Sequence, residues 1–226
     1  MLRSGGTQVI PEPTRRRPGG VPPWSGLEVD LSLGAVRARL DGSVSSVGVT
    51  SSPRSDERVS AVMGLLAEGE SGAEILLTRR SKEMTNHRGE ISFPGGRVDE
   101  GESIVDAALR ETWEEVGIPA HSVSVHTELS PLSTFVSRSY IVPVIASTDA
   151  RTELTVNSVE VDRALWVPLA ELVRPDTFTW EWWTFDRAAE RGERPMYFFY
   201  LDDETVWGAT ARMLFELLCL VHGVSP

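Results

Sequence analysis

The chain predicts an α/β domain built on a mixed sheet, from three observations. Short apolar runs bounded by Gly, Pro and Ser recur from residue 59 onward, two longer stretches carry helical periodicity, and neighbouring runs sit close enough to form hairpins. Hairpins among helices argue against a wholly parallel sheet, whose strands need long crossovers.

Residues 1–26 hold five prolines and five glycines around Arg15, Arg16 and Arg17. That composition cannot bury a core and predicts a flexible, extended leader. Residues 27–40 alternate in polarity and fit either a strand or a short amphipathic helix, and residues 42–57 are polar and Ser-rich, so 27–57 reads as a loosely structured segment and linker. The folded domain is expected over 58–222. Residues 59–68 and 73–80 are strands joined by the turn 69–72, and residues 92–96 form a strand end or loop that feeds a helix. Ser103 with Asp106 starts that helix in the manner of a capping box, Ile104, Ala108, Leu109, Thr112 and Val116 form its buried stripe, and Gly117 stops it. Strands follow at 123–132 and 139–148, a strand runs into a short helix at 164–173, two more strands lie at 196–202 and 205–207, and an amphipathic helix closes the chain at 208–223.

A length of 226 residues, 41% hydrophobic and 24% charged, suits one well-cored globular domain. The formal net charge of −11 argues against nucleic acid held on a basic surface. Cys219 is the single cysteine and lies among leucines, which excludes an intrachain disulfide and predicts a buried helix position. No apolar run reaches 18 residues and no signal-peptide core is present, so the sequence reads as cytoplasmic, without a membrane partner.

The most informative stretch is GGRVDEGESIVDAALRETWEEVGI, residues 95–118. Glu111, Glu114 and Glu115 fall within roughly a 100° sector of one helix face. Glu114 and Glu115 also sit in the last turn, where carboxylates oppose the helix dipole at a cost of about 0.3–1 kcal/mol each. Arg110 precedes Glu114 in the weaker order for a helical ion pair, so surface stabilisation explains the pattern poorly. A divalent cation beside the three glutamates would reverse the sign of their repulsion.

The spacing Gly96, five residues, Glu102, seven residues, then Arg110-Glu111-Thr112-Trp113-Glu114-Glu115-Val116-Gly117-Ile118 resembles the Nudix box of diphosphate hydrolases. Thr112 stands where the pattern usually carries an aliphatic residue. The resemblance implies a Nudix-type α/β/α sandwich with the box helix against the sheet. It further implies Mg²⁺ or Mn²⁺ held by Glu102, Glu111, Glu114, Glu115 and a carbonyl of Gly95 or Gly96, with Arg110 orienting a glutamate. Glu114 is the first choice of general base, and Glu160 a second acid.

Upstream, ILLTRRSKEMTNHRGEISFPGG, residues 75–96, resembles a signature of the coenzyme A diphosphatase branch of that family, as do residues 159–169 and 206–211. The branch implies a substrate of the coenzyme A type, with Arg80, His87, Arg97 and Phe93 as its binding residues. Arg80 reads either as a bidentate phosphate grip or as a strand-end arginine paired with an acid. Trp180, Trp182, Trp183 and Phe185 fit a packed strand face or a homodimer interface, or a platform for adenine. Two other readings stand beside this one: hydrolysis of a different nucleoside diphosphate compound such as ADP-ribose, and a Nudix-fold module that binds nucleotide without cleaving it.

Overall fold

The computed structural model describes residues 1–42, 52–83, 88–134, 138–156, 159–185 and 192–226. In chain order the elements are β1 (Arg15–Pro18), α1 (Leu33–Asp41), β2 (Arg58–Gly69), β3 (Gly72–Arg80), β4 (Ile91–Ser92), β5 (Gly95–Arg97), α2 (Ile104–Val116), β6 (Ser124–Glu128), β7 (Leu132–Ser133) and β8 (Ser139–Ser147). They continue with β9 (Val161–Pro168), α3 (Leu169–Leu172), β10 (Phe178–Thr184), β11 (Glu193–Tyr200), β12 (Thr205–Trp207) and α4 (Gly208–His222).

The large sheet runs β4-β3-β2-β8-β6, with β5 added to β2, β7 to β8 and β9 to β3. Strands β2 and β8 are parallel from Arg58↔Ser139 to Leu66↔Ser147, while the other pairs of this sheet are antiparallel, so the sheet is mixed as expected. Long β2 meets two partners in succession. Its C-terminal end pairs β3 through the hairpin, and its start pairs β5, from Ser60↔Arg97 to Val62↔Gly95.

Side-chain alternation along β2 divides the apolar residues between two cores. Ala61, Met63 and Leu65 join Leu76, Val144 and Ala146 beneath Ala107, Ala108 and Val116 of α2. Leu66, Ile75, Leu77 and Ile145 face the opposite core, which α1, α4 and the aromatic strands fill. The box helix thus packs on one face of the sheet and α1 and α4 on the other. Thr112, the departure from the box pattern, is fully buried and donates its Oγ1 hydroxyl to the Ala108 carbonyl at 2.7 Å, so its polar atom is satisfied. Cys219 is buried, as its leucine neighbours predict, and burial pushes its thiol up to about 12.

Three features differ from expectation. A second, four-stranded antiparallel sheet, β1-β10-β11-β12, stands beside the large one, because strand partners far apart in sequence leave no local mark. The leader lies on the domain: β1 pairs with β10, and Trp24 is 3% exposed against Phe178 and Phe215, at ring-centroid distances of 4.8 and 5.6 Å. Its prolines suit an edge strand and a loop, and one tryptophan supplies the apolar anchor that composition averaged away. Residues 33–41 take the helical alternative, with Ser32 as N-cap and Leu33, Val36 and Leu40 buried. Helix α1 is tied to the sheet by Arg37, whose Nε donates to Ser147 Oγ at 2.7 Å, and by His126, which lies 2.6 Å from Asp41 Oδ1 and 2.7 Å from Ser147 Oγ.

The tryptophans of β10 are engaged in packing. Trp180 meets Trp182 edge-on at 5.6 Å and donates its Nε1 to the Gly20 carbonyl, while Trp183 packs on Phe198 and Phe185. Among the described residues no helix is long and apolar enough to cross a membrane.

Candidate active site

The site forms where β5 hands the chain to α2. Ser103 caps α2 by accepting from the Asp106 N–H, and Gly117 ends it in the left-handed conformation (φ 75°) with its N–H on the Trp113 carbonyl. Gly95 has φ 152°, and a Cβ there would meet the Ala61 carbonyl oxygen closer than 3.0 Å. Only glycine lets β5 leave β2 at that angle. The neighbouring carbonyl of Pro94 accepts from Met63 N–H at 2.8 Å and fixes the turn.

Arg110 is the hub of one half of the site. Its Nε and Nη2 grip the two oxygens of Glu102 at 2.9 and 3.0 Å, and its Nη1 reaches Glu111 at 2.9 Å and Glu114 at 3.4 Å. Nη2 also donates to the Arg97 carbonyl at 3.0 Å, which ties β5 to α2. The guanidinium, helped by the Asp99 N–H, holds the Glu102 carboxyl down at about 2, so Glu102 is ionised at any working pH.

The other half is desolvated. Burial pushes the Glu115 carboxyl up to about 8, with Arg80 opposing and the charges of Glu111 and Glu160 adding to the rise. Burial also raises Glu111, against the pull of Arg110. Arg80 stands 3.6 Å from Glu160, and among the described residues Glu115 Oε2 is buried without a hydrogen-bond partner. An orphaned buried carboxylate oxygen among like charges is costly unless a proton or a cation joins it.

The five residues expected to hold metal therefore separate into two groups. Glu102, Glu111 and Glu114 lie on the Arg110 side, while Glu115 lies within the electrostatic reach of Glu111, Glu160, Arg80 and the Gly95 N–H. Among the described residues no three acidic, histidine or cysteine side chains form a ready-made metal cluster. The donor chemistry nonetheless fits a hard divalent cation: carboxylate oxygens, one of them unpartnered, beside a backbone kinked by glycine.

Beside these acids opens a cleft of about 700 Å³. One wall carries Arg80, Ile91, Phe93, Gly95, Gly96 and Arg97, and the opposite wall carries Arg194, Tyr197, Trp207 and Arg212. Arg80 and Arg97, both expected to bind substrate, line the cleft. Phe93 also lines it but is 1% exposed within the core, so it anchors the floor more than it offers a contact. His87 lies outside the described residues. The residues of the opposite wall had no catalytic motif to announce them; the signals available were arginines beside aromatic strand residues and the short segment 206–211.

A carboxylate-rich helix end packed on a mixed sheet beside an arginine-lined cleft suits a cation and an anionic substrate held side by side. The chain belongs to the Nudix family: the sequence model of the NUDIX domain matches residues 57–189. It is 31% identical to Nudix hydrolase 3 of Caenorhabditis elegans over 196 residues, which covers 79% of this chain and 82% of that protein. It is 34% identical to the Nudix hydrolase NudL of Photorhabdus laumondii over 145 residues, 63% of this chain and 74% of the relative. Among solved structures, a MutT/nudix family protein from Enterococcus faecalis aligns over 82% of this chain and 73% of its own, at 15% identity and a TM-score of 0.47. The protein is accordingly a Nudix pyrophosphatase, and Nudix hydrolases use divalent metal ions.

Proposed function

We propose that the protein hydrolyses the diphosphate of coenzyme A, and of its thioesters, to 3′-phosphoadenosine 5′-phosphate and 4′-phosphopantetheine with Mg²⁺ or Mn²⁺. The observation that carries this reading is the position of the upstream signature: residues of the 75–96 segment build the cleft wall next to the acids, and Arg80 belongs to both, lining the cleft and standing 3.6 Å from Glu160.

In this reading Glu111 and Glu115, with Glu160 and a carbonyl of Gly95, would hold a divalent ion, and Glu102 and Glu114 complete the acidic edge. A bound divalent ion supplies charge neutralisation at the diphosphate and lowers the pKa of an attacking water. Arg80 grips non-bridging phosphate oxygens through a charge-assisted pair. Arg110 acts through Glu102 and Glu111 as a positioning residue, fixing the carboxylates in one geometry. Glu114, 54% exposed and held by Arg110 at 3.4 Å, takes the proton of the attacking water, with Glu160 as the second acid able to do so. The water oxygen bonds to one phosphorus as the bridging P–O bond breaks, and the bridging oxygen departs on the other phosphate.

The test is a panel of coenzyme A, acetyl-coenzyme A, ADP-ribose and dinucleoside polyphosphates, each with Mg²⁺ and Mn²⁺. The reading expects the highest kcat/KM on coenzyme A or its thioester. Faster turnover of ADP-ribose overturns it.

A further inference from the structure

The cleft reverses the charge of the molecule that contains it. The chain carries 33 acidic against 22 basic Lys and Arg residues, yet among the described residues the charged ones lining the cleft are Arg80, Arg97, Arg194 and Arg212 against Glu90. An acidic protein that gathers arginines in one concavity is built to receive an anion. Two of the four, Arg80 and Arg97, belong to the wall beside the acids. The other two stand on the opposite wall, on β11 and in the first turns of α4.

That opposite wall lies outside residues 57–189, the part of the chain that the NUDIX domain matches. Lying outside the matched domain and away from the acids, it is suited to recognising a part of the substrate remote from the scissile bond. Arg194 is held in place: its guanidinium lies over the Phe185 ring at 4.7 Å, and its backbone stands opposite Trp183 of β10. Arg212 is exposed on α4, and Met196, Tyr197 and Trp207 supply apolar surface on the same wall. Arginines next to aromatic surface match a purine nucleoside that bears its own phosphate.

We propose that Arg194 and Arg212 form a second anion subsite, which binds a phosphomonoester on the nucleoside half of the substrate, separate from the diphosphate that is cleaved. Resting on the coenzyme A reading, this assigns the 3′-phosphate to the opposite wall and makes these arginines determinants of specificity that take no part in bond cleavage. The diphosphate itself is left to Arg80 and the acidic edge.

Two measurements test the subsite. Calorimetric binding of adenosine 3′,5′-bisphosphate and of AMP to the full-length protein should favour the bisphosphate by about tenfold or more, as expected for a charge-assisted contact. Arg212→Ala should collapse that preference and Arg212→Lys should restore part of it; Arg194→Ala serves as the second variant, with circular dichroism and Tm confirming the fold of each. In turnover, Arg212→Ala should lose at least about tenfold more kcat/KM on coenzyme A than on dephospho-coenzyme A, through KM. Absence of any preference for the bisphosphate in the unaltered protein overturns the subsite, as does an equal loss on both substrates in folded variants. A preference for the bisphosphate that needs Arg212, in a protein that does not cleave coenzyme A, upholds the subsite and removes the coenzyme A reading. Cleavage of coenzyme A without that preference does the reverse.

Discussion

Gly96 leaves room for Glu111: a Cβ on Gly96 would lie closer than 3.0 Å to the Glu111 carboxylate. Strand β5 and helix α2 therefore meet backbone to carboxylate at the centre of the site. Gly96→Ala should push Glu111 aside, and because the obstacle is a side-chain end it should leave the fold standing. We expect kcat to fall at least about tenfold with Tm lowered by only a few degrees. Gly95→Ala meets backbone at Ala61 and a φ of 152°, so it should unfold the protein far more readily. Paired melting curves and steady-state rates separate the two; equal Tm losses would show that Gly96 is structural alone.

The proton-acceptor assignment predicts that Glu114→Gln lowers turnover by at least about a hundredfold in a folded protein. Arg110→Lys should also slow turnover, by about ten- to a hundredfold, since lysine cannot hold Glu102 by two parallel bonds while also reaching Glu111. Near-normal rates for Glu114→Gln would move the role to Glu160.

Glu115 makes metal-free stability depend on pH. Its folded carboxyl, pushed up to about 8, binds its proton more tightly than the unfolded chain does. The associated stability is fully present below the ordinary carboxylate range and is lost as pH rises through about 8, by an amount on the order of a few kcal/mol. In EDTA, Tm should fall between about pH 5 and about pH 8, and Glu115→Gln should flatten that slope. Added Mg²⁺ should raise Tm more at the alkaline end, because a cation favours the ionised carboxylate. A flat profile in EDTA would contradict the burial argument.

Trp24→Ala should destabilise the domain by about 3–5 kcal/mol, as expected for an aromatic side chain removed from a packed core. Urea denaturation is the measurement, and a loss below about 1 kcal/mol would return residues 1–26 to the role of a loose leader.

Local chemistry carried much of this molecule. The box helix was legible from Ser103 to Gly117 because caps and periodicity act within a few residues, and the β2–β3 hairpin followed from its short turn. Glu115 was legible as a glutamate but not as a buried one, since helix geometry places it on a face without saying what covers that face. The pairing of Arg15 with Thr184 and the gathering of Arg194 and Arg212 opposite Arg80 depend on contacts across more than a hundred residues, which no spacing rule encodes.

The strand Arg15–Pro18 has one more effect. As the outermost strand of the smaller sheet it covers β10, whose sequence FTWEWWT is rich in strand-forming aromatic residues, and its four exposed residues are three arginines and a proline, with Arg17 turned back onto Glu193 and the Trp182 ring. Like charges and a missing N–H donor make a poor template for strand addition by another chain. The N-terminal segment thus closes the aromatic edge of β10, the kind of edge at which strands of other chains add.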